Sequence, residues 1–514
     1  VLPSEYAARL FLQNRDMDIQ RIKNIVGKRF HLKGVLKNSQ ILSCIPKEKR
    51  TADVLKRLRI RSVRTLSGVS VVAVMSRPFP CPHGRCIYCP RGKGAAQSYT
   101  GREPAAMRGL QNGYDPYKQV AARVRQLDEI GHKTSKCELI IMGGTFIAQE
   151  KRYKRWFVQR CFDAFNGNSS RSLEEAMEKN ERASNRVVGI TFETRPDYAM
   201  ERHVDEMLGM GATRVELGVQ TLSDEIYKKV GRGHTLADVM RATRICKDAG
   251  LKVCYHMMPF LFSDKEADIL MFKKMFEDER FRPDMLKIYP TLVLKGTKLY
   301  GMWKKGEYKS YSTDDAVELI SDAMRYVPKY VRIMREQRDI PSQLIIAGVK
   351  NGNLRQLVEK RAKEKKIRLR EIRSREAGLG HKKISRKHTC LLRHNYNASG
   401  GKEIFLSFED SENDALVGFL RLRIPHSYHR KEIDDKTAIV RELHVYGEEV
   451  SVGAKAEGEA QQHLSYGKRL LKEAERIASG MGKKKIAVLS GVGAREYYRK
   501  LGYRRDGPYM SKKL

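Results

Sequence analysis

The rhythm of apolar and polar positions changes three times along the chain. Over residues 1–65 apolar side chains recur at helical spacing, as in Tyr6-Ala-Ala-Arg-Leu-Phe-Leu, which predicts a small helical module with one apolar face. From about 66 to 340, short apolar runs alternate with amphipathic stretches. Runs at 69–75, 138–142, 187–193, 213–219, 251–257 and 285–289 read as strands, and 117–130, 199–210, 236–249 and 313–327 as helices between them. Repeated strand–helix units predict a parallel sheet. Six units without a clear seventh or eighth predict an incomplete (β/α)6 TIM-like barrel. In such barrels chemistry collects at the C-terminal strand ends.

The rhythm changes again beyond 340. Residues 341–385 are dense in charge, as in Glu359-Lys-Arg-Ala-Lys-Glu-Lys-Lys-Ile-Arg, and read as a connector solvated on one side, with a second RNA-facing surface as the alternative. From 386 to 514, strands at 390–395, 403–409, 416–422 and 439–445 precede a helix at 466–478, a strand at 485–489 and a helix at 494–500. An antiparallel sheet followed by helix–strand–helix predicts an acetyltransferase-like α/β domain.

Composition narrows the class. At 514 residues, with 41% hydrophobic and 31% charged residues, the chain is expected to fold as two or three globular domains. No apolar run reaches the roughly 18 residues of a membrane span, and residues 1–9 show no signal-peptide pattern, so a cytoplasmic protein without membrane contact is expected. Lys and Arg outnumber Asp and Glu by 100 to 61, a net charge of +39. That excess opposes compaction and calls for a polyanion, nucleic acid above all. The competing explanation, a thermophile-like charged surface, usually raises Glu together with Lys.

Candidate chemistry starts with Arg77-Pro-Phe-Pro-Cys81-Pro-His-Gly-Arg-Cys86-Ile-Tyr-Cys89-Pro, directly after the first barrel strand. Three thiolates on one short loop can ligate three irons of a 4Fe–4S cluster and leave the fourth open. A structural zinc needs a fourth ligand, and His83 lies inside the same tight loop. The C-x4-C-x2-C spacing resembles the radical S-adenosylmethionine (SAM) superfamily, which places an aromatic such as Tyr88 beside the SAM adenine. Other strand ends add SAM candidates: Gly143 and Gly144, where bare backbone approaches a ligand closely, then Glu193 with Arg195 and Asp197, Gln220, His256 and Lys287. The other six cysteines (Cys44, Cys137, Cys161, Cys246, Cys254, Cys390) read as buried small hydrophobes.

The C-terminal segment Ile439-Val-Arg-Glu442-Leu443-His444-Val445, followed by Gln461-Gln462-His-Leu-Ser465-Tyr466-Gly467-Lys468-Arg469, resembles the GNAT acetyltransferases. These seat CoA pyrophosphate on amides at a helix N-terminus and pantetheine along a strand. Ser465 stands where the usual loop has its first glycine. Tyr497 and Tyr498 lie on the closing helix, where a tyrosine can protonate the departing CoA thiolate; at least one of them is expected only to pack.

A string of longer motifs is more specific: Gln97-Ser-Tyr-Thr-Gly101, Met142-Gly-Gly-Thr-Phe146, Glu193-Thr-Arg-Pro-Asp197, His256-Met-Met-Pro259, Lys287-Ile-Tyr-Pro-Thr291, Arg441-Glu-Leu-His-Val-Tyr446 and Gly507-Pro-Tyr-Met510. From about residue 64 to the last residue the chain resembles the catalytic-subunit family of Elongator, which forms carboxymethyl groups on tRNA uridine. That resemblance implies a 4Fe–4S cluster, SAM and acetyl-CoA as cofactors, and the anticodon arm of tRNA as partner. It implies a SAM-derived radical that takes hydrogen from the acetyl methyl, whose carbon then adds to carbon 5 of the wobble uridine, toward 5-carboxymethyluridine. It places Glu442, Leu443, His444, Val445, Tyr466, Gly467, Lys468, Arg469 and Tyr498 at acetyl-CoA positions, together with Lys136, which looks otherwise like an ordinary charge before a strand. Lys287, Tyr497 and Tyr498 form the candidate catalytic set. Companion Elongator-type subunits are compatible with the resemblance but leave no signature in the sequence. Two alternatives stand beside it: a protein lysine acetyltransferase with a structural iron–sulfur domain, and a non-catalytic RNA-binding scaffold.

Overall fold

The computed structural model describes residues 1–14, 16–32, 34–58, 68–377, 384, 387–446 and 459–514, with the side chains of 47, 52, 56 and 459–465 outside that description. Helices Pro3–Gln13, Ile19–Arg29, Asn38–Ser43 and Ala52–Leu58 form the N-terminal module. They close over Phe11, Ile22, Val26, Ile41 and Leu42. Asp18 caps the second helix by accepting from the amides of Gln20 and Arg21.

Strands β1 (Ser70–Met75), β2 (Lys136–Met142), β3 (Arg186–Thr194), β4 (Arg214–Gln220), β5 (Lys252–Met257) and β6 (Met285–Ile288) realise the six expected strands. A short β7 (Val293–Leu294) follows, then β8 (Arg332–Arg335), which adds a seventh parallel strand beside β6. The sheet order β1-β2-β3-β4-β5-β6-β8 is that of a parallel half-barrel. The seventh strand corrects the expected count. It is four residues long, and Arg332 and Arg335 break its apolar pattern.

Alternation within the strands decides what faces the interior. In β4, Val215, Leu217 and Val219 join the main core under the helices. Arg214, Glu216 and Gln220 take the other face, as Lys252, Cys254 and His256 do in β5. The barrel interior is therefore charged.

The stretch expected as a connector is packed over its described part. Strand β9 (Ile345–Ala347) pairs antiparallel with β7. Helix Leu354–Glu364 buries Leu354, Val358 and Ala362 beside helix Thr313–Ala323 and keeps its charges outside.

The C-terminal sheet consists of β10 (Thr389–Ala398), β11 (Gly401–Asp410), β12 (Ala415–Ile424), β13 (Thr437–Val445), β14 (Lys485–Val488), β15 (Arg504–Asp506) and β16 (Tyr509–Lys513), in the order β10-β11-β12-β13-β14-β16-β15. It is mixed rather than wholly antiparallel, because β13 and β14 run parallel. Helix Glu459–Gly480 crosses it.

This second sheet docks across the N-terminal ends of the barrel strands. Arg441 reaches the carbonyl of Leu251, just before β5, and Asp284, just before β6. The Tyr446 hydroxyl accepts from Arg332 at the start of β8. Arg495 pairs with Glu181 at 3.0 Å, ahead of β3. One apolar core runs through both domains, joining Val253 and Leu286 of the barrel to Phe419 and Ile439 of the second sheet.

Candidate active site

The cysteine loop lies at the opposite, C-terminal end of the barrel. Cys81, Cys86 and Cys89 are all buried and unbridged. Each sulfur has its own polar neighbours: Thr145 Oγ1 at 3.5 Å from Cys81, His83 Nε2 at 3.2 Å and Arg232 Nη1 at 3.7 Å from Cys86, and Ser98 Oγ at 3.6 Å from Cys89. Among the described residues the three Sγ atoms do not all come within 4.8 Å of one another. A single tetrahedral zinc, with bonds of about 2.3 Å, would draw them to about 3.8 Å. Burial pushes the Cys89 thiol up, aided by the neighbouring Cys86 and Cys81, so a cationic cluster is what would hold it as thiolate.

Around this loop the strand ends are closely packed and polar. Gly143 and Gly144 have φ of 132° and 78°. A Cβ on Gly143 would meet Ser76 Oγ at 2.1 Å, and one on Gly144 would sit 3.3 Å from the Gln97 carbonyl and 3.7 Å from Cys81 Sγ. Gln220 ends β4 in the left-handed region, at φ 73°, a conformation that costs a non-glycine residue on the order of 1 kcal/mol or more. Tyr88 Oη, Thr194 Oγ1, Arg195 Nη1, Arg232 Nε, His83 Nδ1 and both nitrogens of His234 are buried without a hydrogen-bond partner among the described residues. Buried polar atoms are normally paired, and so dense a group of exceptions beside three thiols fits a polar cofactor such as SAM. Burial, with Arg232 and Arg195 close by, pushes His234 down to about 2.

Below the loop the interior charges form a column. The Tyr99 hydroxyl donates to Glu193 at 2.8 Å, and Lys287 lies 3.6 Å from Glu193 and pairs closely with Glu216. Glu216 also meets His256 Nε2 at 2.8 Å and Arg214 Nε at 3.4 Å, and Arg214 in turn pairs with Glu138. Burial alone would lower the Lys287 pKa, but Glu216, Tyr289 and Glu193 reverse that and hold it protonated. Burial opposes ionisation of Glu216, and Lys287, His256 and Arg214 overcome it. Lys287 is thereby a fixed positive charge.

At the N-terminal end of the barrel, β13 pairs with β14 only over Thr437–Val440. The edge of Glu442, Leu443, His444 and Val445 on that side has no strand partner among the described residues, which leaves backbone groups for an amide-bearing chain to pair with. Arg421 holds Glu442 at 2.8 Å. Burial brings His444 down to about 4; Glu442 beside it favours protonation, and Arg332, Lys252 and Lys136 oppose it. A Cβ on Gly467 would be 3.1 Å from the Tyr497 hydroxyl and 3.7 Å from Val445. Tyr497 faces this mouth, and burial pushes it up to about 12. Tyr498 is sunk in the C-terminal core against Tyr503.

One expectation changes here. The helix begins at Glu459, so Tyr466, Gly467, Lys468 and Arg469 lie inside it, with their amides in the helical ladder and not at a free N-terminus. Lys468 and Arg469 keep exposed side chains. Gln462 and Ser465 fall outside the described side chains.

Sequence reasoning passed over Arg214, Glu216, Glu138, Arg232 and His234. The available signal was charge at every second position of strands otherwise buried on both faces. Cys254, read as a small hydrophobe, faces Glu216 and His256, and Cys390 is exposed on edge strand β10. No helix among the described residues is long and apolar enough to cross a membrane.

Four families match in order along the chain: the ELP3 N-terminal domain over 8–66, the radical SAM superfamily over 78–276, the radical SAM C-terminal domain over 283–364 and the GNAT acetyltransferase family over 368–503. A tRNA uridine(34) acetyltransferase of Methanocaldococcus infernus is 51% identical across 98% of this chain and 97% of its own length. Elongator complex protein 3 of Homo sapiens is 44% identical across 98% and 94%. The solved structure of the M. infernus Elp3 lacking its N-terminus (1–46) superposes with a TM-score of 0.78 at 50% identity, over 87% of this chain and 99% of that one.

Proposed function

The chain belongs to the Elp3 family of tRNA uridine(34) acetyltransferases, and we propose that it joins the two-carbon unit of acetyl-CoA to carbon 5 of the wobble uridine of tRNA, giving 5-carboxymethyluridine or its precursor. A 4Fe–4S cluster with SAM supplies one-electron cleavage and hydrogen abstraction from an unactivated methyl, chemistry that no side chain offers. Cys81, Cys86 and Cys89 hold three irons. Tyr88, Gly143, Gly144, Glu193 and Gln220 line the SAM position. Lys136, the edge from Glu442 to Val445, Tyr466, Gly467, Lys468 and Arg469 hold acetyl-CoA, while Tyr498 packs in the core behind them.

Lys287, kept cationic by Glu216, steadies negative charge and does not act as a base. Tyr497, at the mouth beside Gly467, is placed to give a proton to the leaving thiolate. Exposed cations receive the phosphates of the anticodon arm, with the uridine unstacked into the site.

The single observation that supports this reading is the polar column. From Arg214 through Glu216 and Lys287 to Glu193 and Tyr99, paired groups run from the N-terminal end of the barrel to the segment beside the cysteine loop. The test combines anaerobically reconstituted protein, tRNA, SAM, reductant and acetyl-CoA labelled in its methyl group. Label should enter a modified uridine only with every component present, and Cys86→Ser should abolish it. Peptide acetylation that survives Cys86→Ser, with no label in tRNA, would overturn the proposal.

A further inference from the structure

The segment Gln97-Ser98-Tyr99 touches three separate parts of the site with three consecutive side chains. Gln97 Oε1 accepts from the Cys81 amide at 3.3 Å, and its Nε2 donates to the Gly84 carbonyl at 2.8 Å. Tyr99 donates to Glu193. Between them, Ser98 places its hydroxyl 3.6 Å from Cys89 Sγ. Ser98 does so at φ 77°, in the left-handed region that disfavours side chains. Arg338, 240 residues further along the chain, donates from Nη2 to the Ser98 carbonyl at 2.6 Å. Arg338 is half-buried, and no carboxylate among the described residues pairs with it.

Cys81 takes its neighbour from just after β2, and Cys86 takes His83 from its own loop and Arg232 from between the two helices that follow β4. The Ser98 contact is set from outside, by a residue beyond β8. We propose that Ser98 and Arg338 are positioning residues that set the reduction potential of the cluster, an inference resting on the cluster reading above. One electron enters the cluster from an external donor, with no bond made or broken, and the reduced cluster carries one more negative charge. A hydroxyl donated to the Cys89 thiolate and a guanidinium behind it stabilise the reduced form more than the oxidised form, and so raise the potential.

The experiment uses the full chain, reconstituted anaerobically with iron and sulfide. Iron content is measured first, and the reduced cluster is then followed by electron paramagnetic resonance during a dithionite-driven redox titration. Three variants are compared with the parent: Ser98→Gly, which removes the hydroxyl while keeping the backbone at ease, Arg338→Gln and Arg338→Lys. With iron content unchanged, Ser98→Gly and Arg338→Gln should each lower the midpoint. The reduced-to-oxidised ratio at the parent midpoint should fall by about three- to tenfold, tenfold being 59 mV for one electron. Arg338→Lys should recover part of the shift. Parent-like midpoints in both, or shifts upward, overturn the proposal. Should Ser98→Gly lose iron, an unchanged midpoint in Arg338→Gln suffices to overturn it. A parent chain that takes up no iron overturns the cluster reading itself, and this pair with it.

Discussion

Arg441 grips Asp284 with two hydrogen bonds of 2.6 and 2.8 Å, and both side chains are fully buried where the second domain meets the foot of the barrel. A bulge makes this reach available. Arg421 faces Glu442 and Leu422 faces Val440, so Arg441 is left out of the ladder and its side chain turns toward the barrel. Lys247, Glu403, Arg423 and Asp248 extend the network.

Asp284→Ala should therefore cost about 3–5 kcal/mol in urea unfolding, since it strands buried cations. Adding Arg441→Met should cost less than the sum of the two single changes, because the unpaired charge then disappears. Full additivity would mean that the two residues do not act as a pair.

The strand ends make a graded prediction about cofactor loading. Gly143→Ala drives a Cβ into Ser76, whereas Gly144→Ala meets nothing closer than the Gln97 carbonyl at 3.3 Å. Both also strain a positive φ, by about 1 kcal/mol or more. Iron content after reconstitution and Tm should fall in both variants, and further in Gly143→Ala.

The two tyrosines of the closing helix separate by position. Tyr497→Phe should slow tRNA-stimulated acetyl-CoA breakdown by about tenfold or more, as removal of a proton donor does, with little change in Tm. Tyr498→Ala should lower Tm by opening the core around Tyr503, at a cost of about 3 kcal/mol. If Tyr497→Phe turns over like the parent, the proton comes from elsewhere.

Acid stability carries a signature of His444. Its folded pKa, about 4, lies below the ordinary 6.5. Between those values the unfolded chain binds the extra proton, so stability falls as pH drops from 6.5 toward 4, and above 6.5 the group contributes no slope. The contribution is at most about 1.4 kcal/mol per pH unit. Replacing His444 with Gln should flatten the dependence of urea midpoints between pH 6.5 and 4.5 relative to the parent.

The sequence revealed most where one local rule governed. The cysteine spacing, the strand-ending glycines and six of the seven barrel strands follow from short-range pattern and chemistry. Strand β8 escaped because four residues with arginines at both ends carry too little apolar signal. The packed stretch after 340 escaped because its surface charge outnumbers the three buried positions of its helix. Arg338 lies in an unremarkable loop, and only the fold brings it to Ser98. Helix Glu459–Gly480 starts ahead of the expected glycine-bearing loop, because it absorbs the residues of that loop.

The cysteine loop and the unpaired edge of β13 open at opposite ends of one barrel, the seven residues of β2 apart, about 23 Å at 3.3 Å per residue. Hydrogen abstraction needs contact, so the acetyl end of a thioester seated on that edge must reach inward to the cofactor beside the loop. The row of interior ions lies between the two, and substitutions in that row are where carbon transfer would stop while each molecule still binds.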